Sequence, residues 1–96
     1  MPKGRKADLR DVAEGFALLS DLTRLGILSV LAKGPKNVTA LCEAVGLKQP
    51  AVSNHLGLLR MGRLVNGVRQ GKSVVYATDK ANVKALASAL GKLTAK

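Results

Sequence analysis

The sequence predicts a mainly α-helical fold with one small β-hairpin, in the order α-α-α-α-β-β-α. Three observations carry that prediction. Between Asn37 and Arg63 a short apolar-periodic segment, a glycine turn and a second amphipathic segment follow one another. After Met61 the period changes to runs of β-branched residues around a second glycine. Amphipathic helical patterns flank this centre on both sides.

In chain order, Leu9, Val12, Ala13, Phe16, Ala17 and Leu19 are spaced for a helix over Ala7 to Ser20. Asp8 and Asp11 stand near its start, where negative charge is favoured. Asp21 suits the N-cap of a second helix, because its carboxylate can accept from the backbone N–H of Thr23 or Arg24. Leu22, Leu25, Ile27, Leu28, Val30 and Leu31 make this helix apolar on most sides and predict a central place in the core. Gly34-Pro35 ends it. Thr39 is the expected cap of a third helix running to Val45, which Gly46 terminates in the left-handed conformation.

The fourth helix begins near Gln49-Pro50 and reaches about Met61, with Val52, Leu56 and Leu59 on one face. Lys48 cannot accept a capping hydrogen bond, so Pro50 is expected at the first helical position. Leu64, Val65 and Val68, then Val74, Val75 and Tyr76, flank the turn Arg69 to Ser73 and predict a hairpin. A last helix over Lys80 to Leu93 has Val83, Leu86, Ala87, Leu90 and Leu93 on one stripe. Residues 1–7 read as a basic arm and 8–94 as one domain.

The chain has 96 residues with a formal charge of +10. Such an excess points to a polyanionic partner. Of its six acids only Asp79 follows Glu43, so the basic surface belongs to the second half. Phe16 and Tyr76 are the only aromatics, too few for single-stranded nucleic acid held by base stacking. One histidine, one cysteine and six acids also leave too few parts for a catalytic constellation, so no enzyme is expected. No apolar run is long enough to span a bilayer, no signal peptide is recognisable, and a cytoplasmic protein is expected. A membrane-surface role is excluded because the aliphatic stripes are better used in a core.

On the fourth helix the face opposite Val52, Leu56 and Leu59 shows Gln49, Pro50, Ser53, Asn54 and Gly57, small or polar residues with no acid. Short hydrogen-bonding side chains without negative charge suit the DNA major groove. Lys48 stands at the mouth of this helix, where an anion is favoured, and is expected to meet a phosphate. Arg69 and Lys72, beside the hairpin tip, are placed to reach the flanking backbone. Charged residues also protect exposed strand edges, and that reading stays open for the pair.

Helix, helix, helix-turn-helix, two-stranded wing, helix is a winged-helix order, and the residues go further. Leu19 to Leu28, Gln49 to Leu56 with Leu59-Arg60, and Leu64-Val65 with Arg69 to Lys72 and Val75-Tyr76 resemble, in order, three motifs of the ArsR/SmtB family of bacterial regulators. The resemblance extends over about residues 12 to 93. Leu22 stands where the family usually has proline, and Arg63 where it has glycine. Gly62 is therefore expected to terminate the fourth helix. The resemblance implies a homodimeric repressor on an imperfect inverted repeat of double-stranded DNA. Gln49, Ser53 and Asn54 would then face base edges or nearby phosphates, with Arg60 and Arg63 adding charge. His55 would orient the helix or contact a phosphate. The first and last helices would form the dimer through Leu9, Val12, Phe16, Val83, Leu86, Leu90 and Leu93.

Many members of that family bind metals through paired cysteines in the third helix or Asp, His and Glu on the last. Here Cys42 matches the first such cysteine, but Ala44 occupies the second, and the last helix has no such ligand after Asp79. One soft ligand per subunit is too few for a tetrahedral site. No metal and no cofactor are expected. Cys42 reads as a small core residue, with single-thiol redox sensing as the alternative. The sequence names no effector. A sequence-tolerant architectural DNA-binding protein is the competing function.

Overall fold

The computed structural model describes residues 9–94. Helices α1 (Leu9–Leu18) and α2 (Leu22–Leu31) precede a short strand β1 (Lys36–Asn37). Then come α3 (Val38–Val45), α4 (Gln49–Met61), the hairpin β2 (Val65–Gln70) and β3 (Ser73–Thr78), and α5 (Lys80–Lys92). The expected start of α1 at Ala7, and the basic arm over 1–7, lie outside the described residues.

One cluster holds these elements together. Ile27 and Leu31 from α2, Leu41 from α3, Val52, Leu56 and Leu59 from α4, and Leu64 and Val65 at the entry to β2 are all buried. The i, i+4, i+7 face of α4 is fully enclosed, so its opposite face is turned outward as a geometric consequence. Helix α2 is less enclosed than its composition suggests. Ile27 and Leu31 are buried, but Leu22 is 87% and Leu25 48% exposed. Ten residues of nearly continuous apolar character offer more surface than so small a core can cover.

The caps show how local chemistry yields to tertiary pairing. Asp21 caps α2 as expected, its Oδ1 accepting from Arg24 N–H at 3.0 Å. Thr39 does not cap α3. Asn37 does, with Oδ1 accepting from Ala40 N–H at 2.8 Å. The reason is β1, which the sequence reading missed. Lys36 and Asn37 pair antiparallel with Tyr76 and Val75, making a three-stranded sheet in the order β1-β3-β2. That pairing holds Asn37 in extended conformation beside the first turn of α3, where a capping side chain belongs. Gly46 ends α3 at φ 72°, as expected.

Two expectations about α4 need correction. Pro50 is the second helical residue, because the helix already begins at Gln49, and Lys48 occupies the N-cap without a side-chain bond. At the other end Gly62 is not the left-handed terminator. It keeps φ −81°, and Arg63 takes φ 62°. Leu64 N–H donates to Leu59 O at 2.9 Å, closing the Schellman turn with Arg63 where glycine is usual. Packing explains the exchange of roles. A Cβ built on Gly62 would meet Leu18 Cδ1 at 2.1 Å, so the glycine is needed for the close approach of α1.

The hairpin turn is tighter than the five residues expected. Arg69 pairs with Val74 and Gln70 with Ser73, leaving Gly71 and Lys72 as a two-residue turn. Gly71 supplies φ 64° at its first position. Gly67 lies directly opposite Tyr76, whose ring covers it. At the far end Asp79 caps α5 by accepting from Asn82 N–H at 3.2 Å.

Candidate nucleic-acid interface

With Val52, Leu56 and Leu59 facing inward, Lys48, Gln49, Ser53, Asn54, Gly57 and Arg60 are all exposed. Ser53, Asn54, Gly57, Leu58, Arg60 and Met61 line one shallow groove along the outer side of α4. Side chains along this groove are short until its end, so another surface could approach the helix backbone closely. Arg69 and Lys72 are exposed in the hairpin that follows, Arg69 within β2 and Lys72 at the turn. No acid stands in α4, β2 or β3.

Arg63 is not part of this row. Its left-handed backbone turns it toward a cleft between α1, the end of α4 and α5, which it lines with Asp11, Glu14, Arg24, Asn82 and Leu86. Its carbonyl accepts from Asn82 Nδ2 at 3.0 Å, and Asn82 is itself tied to the Asp79 cap. This brace joins the start of the hairpin to the start of α5.

His55 lies on the flank of α4 and is half-buried. Arg24 Nη1 lies 3.3 Å from its Nδ1. The Nε of the same guanidinium donates to Leu18 O at the end of α1. Arg24 thus touches the last turn of α1, the first turn of α2 and the middle of α4. The Arg24 backbone N–H holds the Asp21 carboxyl below its ordinary 3.8, against desolvation, and the Arg24 charge adds to the lowering.

Of the residues expected to form a dimer surface, Val12 is already buried within the chain at 7% exposure. Val83 and Leu86 pack against the core cluster, and Phe16 is half-buried. A glycine at position 15 lets Leu86 lie close to α1. Leu9 (71%), Leu90 (51%) and Leu93 (65%) are the members of the set left open. Cys42 is half-buried on α3 against the core. Among the described residues no three of His, Cys, Asp and Glu converge, and no helix is long and apolar enough to cross a membrane.

The family model described as bacterial regulatory protein, arsR family, matches residues 21–66, from the Asp21 cap to the first strand of the wing. The HTH-type transcriptional regulator Rv2034 of Mycobacterium tuberculosis is 38% identical over 77 residues, 80% of this chain and 72% of that protein. The chain belongs to the ArsR family.

Another relative, the HTH-type transcriptional regulator KmtR of M. tuberculosis, is 41% identical over 75 residues. The match takes in 78% of this ArsR-family chain but only 58% of KmtR. Among solved structures, a homodimeric winged helix-turn-helix DNA-binding domain from Mycobacterium bovis superposes with a TM-score of 0.75 at 31% identity. That match covers 96% of this chain and 88% of the other. These relatives are described as transcriptional regulators. Within the ArsR frame the sequence reading missed Arg24 and Asn82 as structural ties. Arg24 had a signal, since it lies in the first of the three family motifs. Asn82 had none beyond its place one turn after a capping Asp.

Proposed function

We propose that this chain binds double-stranded DNA sequence-specifically as a homodimer and represses transcription in the cytoplasm from an imperfect inverted repeat. One observation carries the reading. The enclosed face of α4 leaves an acid-free outward row of Gln49, Ser53, Asn54 and Arg60 beside a basic hairpin. Gln49, Ser53 and Asn54 would reach base edges in the major groove, while Lys48, Arg60, Arg69 and Lys72 would hold phosphates. A dimer would use α1 and α5, where Leu9, Leu90 and Leu93 are exposed. The M. bovis domain, described as homodimeric, supports a homodimer. Two recognition helices about 34 Å apart would then meet successive major grooves on one side of the duplex.

The charge of +10 favours a second reading, a sequence-tolerant architectural protein. Fluorescence anisotropy separates the two. A duplex from upstream of the protein's own gene, or one selected from random DNA, is compared with a scrambled duplex at two salt concentrations. A preference of about 10³ or more supports the repressor. Selection from random DNA that yields no preferred duplex, with all binding lost together as salt rises, supports the architectural reading.

A further inference from the structure

The geometry points to Arg24 as a positioning residue for DNA contact: it fixes His55 so that the neutral ring presents its Nε2–H to a phosphate beside α4. The inference rests on the DNA-binding reading above and adds a residue that lies on a different helix from the recognition row.

A guanidinium donates and never accepts. With Arg24 Nη1 3.3 Å from His55 Nδ1, Nδ1 must be the acceptor, which leaves the ring proton on Nε2. Among the described residues Nε2 has no hydrogen-bond partner. It is not enclosed either, because the one buried side-chain polar atom without a partner there is Thr78 Oγ1. His55 therefore carries an N–H donor that is unused among the described residues and not fully enclosed, on the flank of the helix that offers Ser53 and Asn54. Arg24 is held in turn. Its Nε donates to Leu18 O, and its backbone is fixed by the Asp21 cap. The charged groups facing the ring are Arg24 in α2 and Asp21 at the N-cap of that helix.

Two measurements test the assignment. The first uses free protein labelled with ¹⁵N at histidine and reads the ring nitrogens above pH 7.5. The unsubstituted chain should show a bare Nδ1 and a protonated Nε2, and Arg24→Met should show a mixture of tautomers. A Nδ1–H ring in the unsubstituted chain would overturn the proposal. The second uses the selected duplex. Arg24→Met should weaken binding about tenfold or more, the loss of a hydrogen bond to a charged group. The salt slope should stay unchanged, since a neutral donor displaces no counterion. A slope smaller by about one for each protomer would mean that Arg24 itself meets a phosphate, and would overturn the positioning role.

His55→Phe should cost as much as Arg24→Met, and the double variant should cost no more than either alone. Losses that multiply would also overturn it. His55→Gln, which retains an N–H donor, should recover part of the affinity and guards against a folding defect in His55→Phe. A chain that selects no duplex would overturn the repressor reading and the phosphate contact with it. The histidine spectrum would still decide whether Arg24 fixes the ring.

Discussion

Replacing Arg63 by glycine should stabilise this protein, although it deletes a charged side chain next to the proposed DNA surface. Arg63 sits at φ 62° in the closing turn of α4. For a residue with a Cβ that conformation costs about 1–2 kcal/mol. Glycine removes the cost but adds about 0.4–1 kcal/mol of chain entropy to the unfolded state. The net gain is about 0.5–1 kcal/mol, which for a chain of this length raises the melting temperature by roughly 2–8 °C. The Leu64 N–H bond to Leu59 O and the Asn82 bond to the Arg63 carbonyl use backbone atoms on residue 63 or none of it, so both survive the change. Arg63→Ala is the control. It removes the guanidinium but keeps the Cβ and its strain, and should change stability by less than about 0.5 kcal/mol. The assay is thermal unfolding by circular dichroism at one fixed protein concentration, since a dimer's melting temperature depends on concentration. Equal melting temperatures for Arg63→Gly and Arg63→Ala would refute the reasoning, because the left-handed backbone would then cost no more than the chain entropy that glycine adds.

Other expectations follow from the same structure. Asn37→Ala should cost about 1 kcal/mol of stability in denaturant unfolding while Thr39→Ala costs little, because Asn37 makes the α3 cap; the reverse order would restore Thr39 to that role. Gly67→Ala should destabilise by about 1–3 kcal/mol, since its Cβ would meet Tyr76 Cε2 at 2.9 Å; a neutral result would mean that the ring slides aside freely. Asp21 has its folded-state value lowered, so its contribution is complete above the ordinary 3.8 and lost as pH falls through the folded value. The stability gap between the unsubstituted chain and Asp21→Asn should therefore be constant from pH 7 to 5 and close only in strong acid. A gap closing already near pH 6 would contradict that sign. On DNA, Ser53→Ala with Asn54→Ala should erode discrimination between duplexes, whereas Lys72→Ala should weaken all duplexes alike and reduce the salt slope by about one for each protomer. Uniform weakening in both cases would undo the division between base and phosphate contacts.

The elements that could be read in advance share one property: their determinants are neighbours in the chain. Val52, Leu56 and Leu59 announce α4 because three and four residues return to one face of a helix. Gly46 and Asp21 announce their ends because a cap is decided within one turn. The same logic misled at α3, where Asn37 and Thr39 are both good caps and the choice was made by strand β1 pairing with β3. No alternation can reveal a strand of two residues. Likewise Gly62 is the better left-handed residue by intrinsic preference, yet Leu18 packs against it and passes that conformation to Arg63.

By itself, then, the sequence determined the order of helices and wing, the buried face of α4 and therefore the acid-free row opposite it, and the resemblance to the ArsR family. Periodicity, capping and charge act over a few residues and are written where they act. Tertiary structure alone decided which asparagine-threonine pair member caps α3, which residue at the end of α4 bears the strain, and that Arg24 meets a histidine 31 residues away. Those outcomes depend on which surfaces are brought within a few ångströms of each other, and packing at that scale is set by the whole chain rather than by any segment of it.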